Sequence, residues 1–159
     1  MPVEIANQQE FRAVRFELEI TINCPITKVW NSLVSETTKW WPKDFYTSPN
    51  TKAFIIEPKL GGRMYEKGSR AGAGLVWMTV YGVEPPKYLY LVGFISPPFG
   101  GPATSLLTIN LSENGKNTTL LKIQDNCFGQ LSGDMSKSLA DGWQLLFEGN
   151  LKPFAEKKR

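Results

Sequence analysis

The sequence predicts an α+β fold: one antiparallel sheet of seven strands, with the helices collected on one face. Three observations carry this reading. The middle of the chain is a run of short alternating segments joined by tight turns, and short connections force consecutive strands to pair antiparallel. Two short helical patterns interrupt the strands directly after the first one. A long helical pattern from Ser132 to about Glu156 closes the chain and must cover the apolar face that the sheet leaves open.

Residues 1–14 carry no sustained periodicity and are expected to form a loose lead-in. Arg15 to Asn23 then alternates, with Phe16, Leu18, Ile20 and Ile22 on one face and Arg15, Glu17, Glu19 and Thr21 on the other. Period-two patterning of this kind marks a strand with one buried face. Pro25 stops the strand and suits the first turn of a helix, in which Ile26, Val29, Trp30 and Leu33 recur at helical spacing. Thr37 to Trp41 reads as a second short helix, ended by Pro42, and residues 43–51 as a loop. Six more strands are expected at 52–57, 62–67, 73–83, 88–95, 105–111 and 118–126. Gly68 to Gly74 forms a turn, and Pro85-Pro86 separates two strands. Asn114-Gly115 signals a tight hairpin in which both central residues take positive φ.

In the closing helix Leu131, Met135, Leu139, Trp143, Leu146 and Phe147 form one apolar stripe. Gly142 and Gly149 each cost about 1 kcal/mol against alanine in a helix interior. Gly142 either leaves room over a cavity or permits close packing. Pro153 should clash with the Gly149 carbonyl and kink or fray the end. One domain over residues 15–156 and a basic tail at 157–159 complete the division.

A chain of 159 residues is long enough to bury a core. A net charge of +3 is too mild to argue for nucleic acid, and Lys157-Lys158-Arg159 reads as a solvated terminus. No run of about 18 apolar residues is present to span a membrane, so no integral membrane association is expected. Without a basic start followed by an apolar run, no signal peptide is visible, and a cytoplasmic location is the expectation. Histidine is absent, which excludes Ser/His/Asp and Cys/His nucleophile systems and any histidine-based metal site. Two cysteines cannot complete a structural zinc site, so neither a metal nor a cofactor is expected.

Four stretches point to a family. They are Ile22-Asn23-Cys24-Pro25-Ile26-Thr27-Lys28-Val29-Trp30, Glu57-Pro58-Lys59-Leu60-Gly61-Gly62-Arg63, Val83-Glu84-Pro85-Pro86-Lys87-Tyr88-Leu89 and Gly142-Trp143-Gln144-Leu145-Leu146. Spread in order over residues 15–155, they resemble the SRPBCC (START-like, Bet v 1-like helix-grip) superfamily, in particular the branch named after the activator of Hsp90 ATPase. The resemblance implies a curved seven-stranded sheet gripping the long C-terminal helix, with an internal cavity for an apolar ligand between them. Members include lipid carriers, hormone and polyketide binders, cyclases and proteins that contact chaperones. Many members of this branch carry a histidine three residues before the Gly-Trp pair. Here that position is Leu139, so no proton-transfer role carries over to it.

The ligand-binding candidates are Trp40, Trp41 and Trp77 with Phe54, Met64, Phe94, Phe99, Leu107, Leu121, Leu139 and Trp143. Aromatic side chains offer a pocket large apolar surface, and indole N–H groups offer polar contacts; the same residues equally suit a solid core. Trp40-Trp41 precedes a loop where the resembled fold has its cavity mouth. The loop Ser96 to Thr104 either gates the entrance with Phe99 or is an ordinary stiffened connection. Among polar groups, Asp125 shares its phase with Leu121 and Ile123, which aims it inward, where a carboxylate must be paired or shift its pKa. Arg63 is the candidate partner, and Tyr65 or Tyr81 the candidate hydroxyl. If the strand instead ends in a bulge before Cys127-Phe128-Gly129, Asp125 faces water.

Gly68-Ser69-Arg70-Ala71-Gly72-Ala73-Gly74 lacks the Gly-Lys-Ser/Thr ending of a phosphate cradle and joins strands, so it is rejected as one. If the first and last strands pair as in the resembled fold, Cys24 and Cys127 lie at opposite ends of that pair. Roughly nine residues at ~3.3 Å each then separate them, too far for a disulfide.

The leading functional expectation is binding of a small hydrophobic or amphipathic molecule between sheet and C-terminal helix. The alternative is a polyketide cyclase- or dehydratase-like enzyme using Asp125, Arg63 or Tyr81 in the same cavity. A chaperone contact is suggested only by the branch name, and a homodimer is left open.

Overall fold

The computed structural model describes residues 10–158. Residues 1–9 of the expected lead-in and Arg159 of the expected tail lie outside the described residues. The strands are β1 (Phe11–Ile22), β2 (Thr51–Ile56), β3 (Arg63–Gly68), β4 (Gly74–Glu84), β5 (Tyr88–Ile95), β6 (Ala103–Glu113) and β7 (Thr119–Gln130). They form one antiparallel sheet in the order β1-β7-β6-β5-β4-β3-β2. Helices α1 (Ile26–Ser35) and α2 (Thr37–Trp40) cross from β1 to β2 at the far edge; apart from the β1–β7 pair, neighbours in the sheet are also neighbours in sequence. Register shifts between Met64 and Tyr65 and between Val80 and Gly82 mark bulges, which bend strands and increase their twist. The sheet is curved.

β1 begins at Phe11, four residues before the alternating pattern, and Phe11 to Val14 pair with Gln130 to Cys127. Phe11, Arg12 and Ala13 are exposed and Val14 is half-buried. That stretch has no buried face, so no alternation announces it. The hairpin after β6 also differs from expectation. Gly115 has φ 97°, but no residue other than glycine takes positive φ among the described residues. Residues 114–118 form the connection, closed by the Asn114 N–H donating to the Thr118 carbonyl at 2.8 Å.

The core lies between the inner sheet face and the helices. Ile20, Ile22, Leu107, Ile109, Leu121 and Ile123 project from β1, β6 and β7 against Val29 and Leu33 of α1 and Leu146, Phe147 and Leu151 at the C-terminus. Trp40 and Trp41 belong to this core. Trp41 stacks on Phe54 with ring centroids 3.7 Å apart, and the Trp40 Nε1–H donates to the Ser32 carbonyl at 2.7 Å.

Helix α3 runs Gly133–Leu146, and its start is capped by Ser132, whose Oγ accepts from the Met135 N–H at 3.0 Å. A π-turn follows over Phe147–Leu151, and α4 covers Lys152–Glu156. The Lys152 N–H donates to the Phe147 carbonyl, five residues back. This wider turn carries the helix up to Pro153, which then sits in the first turn of α4, where its missing N–H is harmless. The expected break is thus absorbed, and Phe147, Leu151 and Ala155 stay buried across it. Among the described residues no helix is long and apolar enough to cross a membrane. Cys24 and Cys127 are both free and buried. Cys127 pairs with Val14 near the start of β1, while Cys24 lies beyond its end.

Candidate functional site

A cleft of about 340 Å³ lies between the sheet and α3. Its sheet wall is Leu75–Met78 of β4 and Gly93–Ile95 of β5, and its helix wall is Met135, Leu139, Gly142, Trp143 and Leu146. These α3 residues are the stripe that the helical spacing marked, with the glycine between them. A Cβ built on Gly142 would meet only the Phe45 ring, at 3.7 Å. The glycine therefore leaves room over the cleft and is not forced by close packing. The cleft reaches solvent past Phe94 and Phe99, which are 79% and 46% exposed.

At the inner end lies Asp125, only 1% exposed. β7 continues without interruption to Gln130, so Asp125 keeps the inward phase of Leu121 and Ile123, and the outward alternative fails. Oδ1 accepts from the Ser105 Oγ–H at 2.6 Å and Oδ2 from the Trp143 Nε1–H at 2.7 Å. Ser105 is delivered by β6 and Trp143 by α3, so the carboxyl ties sheet to helix. Burial pushes its pKa up, and the Ser105, Trp143 and Cys127 hydrogen bonds offset this only in part. The neighbouring Cys127 thiol is pushed up to about 12, first by burial and then by the Asp125 charge. Such a thiol is unreactive near neutrality. Asp125 and Trp143 also back onto a smaller concavity between β1 and α3, beside Glu17 and Asp141.

The partners expected for Asp125 do not reach it. Arg63 points to the other face of β3, where its Nε–H donates to Glu57 at 2.7 Å and its guanidinium lies over the Tyr65 ring at 4.2 Å. Tyr81 is 49% exposed on the outer face beside Tyr90. Among the expected ligand-binding residues, Trp77, Phe99, Leu139 and Trp143 converge on the cleft, while Phe94 borders it in the phase opposite the inward Gly93 and is 79% exposed. Trp40, Trp41, Phe54, Met64, Leu107 and Leu121 do not line it; they fill the core beneath. A tryptophan pair and alternating apolar residues look the same in sequence whether they meet a cavity or each other.

One residue was missed. Glu66 of β3 is 1% exposed, and neutral donors surround its carboxylate. Oε1 accepts from the Thr47 N–H at 2.8 Å and Thr51 Oγ1–H at 2.7 Å, and Oε2 from the Thr47 Oγ1–H and Trp77 Nε1–H, both at 2.8 Å. Burial pushes its pKa up, yet these hydrogen bonds outweigh burial and hold it below the usual carboxylate range. Glu66 thereby anchors two parts of the cleft wall, Trp77 and the segment carrying Phe45 and Thr47. The signal was available: Glu66 shares the inward phase of Met64, the same parity that singled out Asp125. No group of three metal-ligating side chains occurs among the described residues.

Residues 23–156 match the model of the family described as activator of Hsp90 ATPase homolog 1-like protein. No curated protein matches the sequence. Solved structures similar to the chain include Mll3558 from Rhizobium loti, at 17% identity over 94% of this chain and 99% of that one, with a TM-score of 0.63. Ara h 8.0201 matches at 13% identity over 91% and 98%, with a TM-score of 0.65. The anthrahydroquino-gamma-pyrone synthase Txn09 matches at 20% identity over 70% and 75%, with a TM-score of 0.50. At these identities the structural likeness is one of fold. With the helix-grip architecture and a family match over most of its length, the chain belongs to the activator of Hsp90 ATPase homolog 1-like family.

Proposed function

We propose that the protein binds a small, largely apolar molecule in the cleft between sheet and α3. The observation that carries this reading is the cleft itself: about 340 Å³ walled by Trp77, Phe99, Leu139 and Trp143 above a filled core. Ligand sites are concave, mostly apolar and oriented by a few polar groups, with volumes from about 300 Å³ upward. Phe99 exposes apolar surface at the rim, and a seated ligand would cover part of it. Catalysis of the cyclase or dehydratase kind requires at least two convergent acid/base groups. Arg63 and Tyr81 face away from Asp125, which favours binding over reaction. A chaperone contact rests on the family's description alone and forms no part of the proposal.

Native mass spectrometry of freshly purified protein is the direct test, with a co-purified mass as the expected result. Leu139→Trp places a larger side chain in the cleft and should abolish both that adduct and the binding of a naphthalene-sized apolar molecule. The reading fails if no adduct is found and no such molecule binds, or if Leu139→Trp binds as tightly as the wild type.

A further inference from the structure

The cleft has one charged residue in its lining, Asp125, and nothing proposed above uses that charge. An ionised carboxylate offers about four acceptor positions. In Asp125 the Ser105 hydroxyl and the Trp143 indole occupy one on each oxygen, and Cys127 adds a weak third donor. All three donors are neutral. Glu17 of β1 and Asp141 of α3 border the concavity that Asp125 backs onto, and each has its own surface cation, Arg15 and Lys137. Among the described residues no ion pair reaches Asp125. The result is a buried carboxylate with unused acceptor capacity at the end of an apolar cleft. A buried charge is costly unless paired.

The rest of the lining narrows what can pair with it. Trp77, Trp143, Phe45 and Phe99 line the cavity with aromatic residues, and aromatic faces attract cations while their area suits apolar bodies. Ligand carbonyls and carboxylates find the inner end unsuitable, because the indole N–H and the serine O–H there already donate to Asp125. An alcohol can donate to Asp125 but leaves its charge uncompensated. A protonated amine does both.

We infer that the cleft selects an organic cation: an apolar or aromatic body bearing a protonated amine that donates to Asp125 at the inner end. This rests on the reading of the cleft as a binding site and names the chemistry of its ligand. The overall charge of +3 works against it, since the long-range field of the protein attracts anions. A preference for amines must therefore come from the site.

The test uses three compounds sharing one ring system: 1-naphthylmethylamine, 1-naphthalenemethanol and 1-naphthoic acid. Each is titrated into the full chain at pH 7 and followed by calorimetry. The amine should bind at least about tenfold more tightly than the alcohol, the effect of one charge-assisted hydrogen bond, with the acid weakest. In Asp125→Asn the ratio of amine to alcohol affinity should fall to near one. Equal binding of all three by the wild type overturns the cation inference and leaves the cleft as a binding site. An amine preference that persists in Asp125→Asn also overturns it. Binding of none overturns the binding reading itself. The wild-type ratio decides the question even if the variant does not fold.

Discussion

Glu66→Gln changes one oxygen to an amide nitrogen, and the geometry dictates a large effect. The carboxylate accepts four hydrogen bonds, two on each oxygen. Two of the donors cannot reverse: the Thr47 backbone N–H on Oε1 and the Trp77 indole N–H on Oε2. Whichever way the glutamine amide is turned, its NH₂ faces one of them. A buried donor left unsatisfied costs about 1–3 kcal/mol, and each surviving bond weakens when its acceptor loses its charge. Relief from burying a charge returns part of this, so the net loss should be about 2–4 kcal/mol. In urea unfolding at pH 7, with a slope of ~2 kcal/mol per molar, the midpoint should drop by roughly 1–2 M. The pH dependence supplies a second readout. The folded pKa of Glu66 is held below its ordinary value, so its stabilisation is full above the unfolded pKa near ~4.3 and is lost as pH falls through the folded pKa. Glu66→Gln should lose that acid-side fall. A midpoint shift smaller than about 0.3 M, or an unchanged acid-side slope, would refute the reasoning.

The same exchange at Asp125 should behave in the opposite way. Asparagine can accept from the Trp143 N–H and donate to Ser105 Oγ, so both bonds survive while the buried charge disappears. Asp125→Asn should leave urea stability at pH 7 unchanged or raised. Because the folded pKa of Asp125 lies above the usual value, wild-type stability from this group rises as pH falls from above the folded pKa to about 3.9, and the variant should lack that rise. Trp143→Ala removes a largely buried side chain and one Asp125 donor and should cost about 3–5 kcal/mol by urea unfolding; a near-neutral result would mean that α3 does not pack as described. Trp40 and Trp41 are both core, but only Trp40 has a partner for its indole N–H. Trp40→Phe should therefore cost about 1 kcal/mol more than Trp41→Phe in paired unfolding measurements, and equal costs would count against that assignment.

Strand phase was the most informative signal in this chain. It placed the inner face of β1 and set Asp125 inward beside Leu121 and Ile123, and applied to β3 it reaches Glu66 as well. Phase fails where an element has no buried side, which is why Phe11 to Val14 went unread, and it cannot say what lies opposite an inward residue. Arg63 was a reasonable partner for Asp125 by charge, but adjacent strand residues face opposite ways. Arg63 is turned out to Glu57 while Met64 next to it is buried.

By itself the sequence determined the α+β class, the strand order along the chain, the apolar stripe of α3 and the absence of histidine chemistry. These depend on periodicity, turn residues and composition, which are properties of neighbours in the chain. Tertiary structure alone decided which aromatic residues border a cleft and which fill the core, because both are apolar and in phase. It also decided the partners of the two buried carboxylates. Ser105 and Trp143 meet Asp125, and Thr47, Thr51 and Trp77 meet Glu66, across 11 to 20 residues of chain. Strand register and helix placement bring those groups together, and no local pattern encodes the contact.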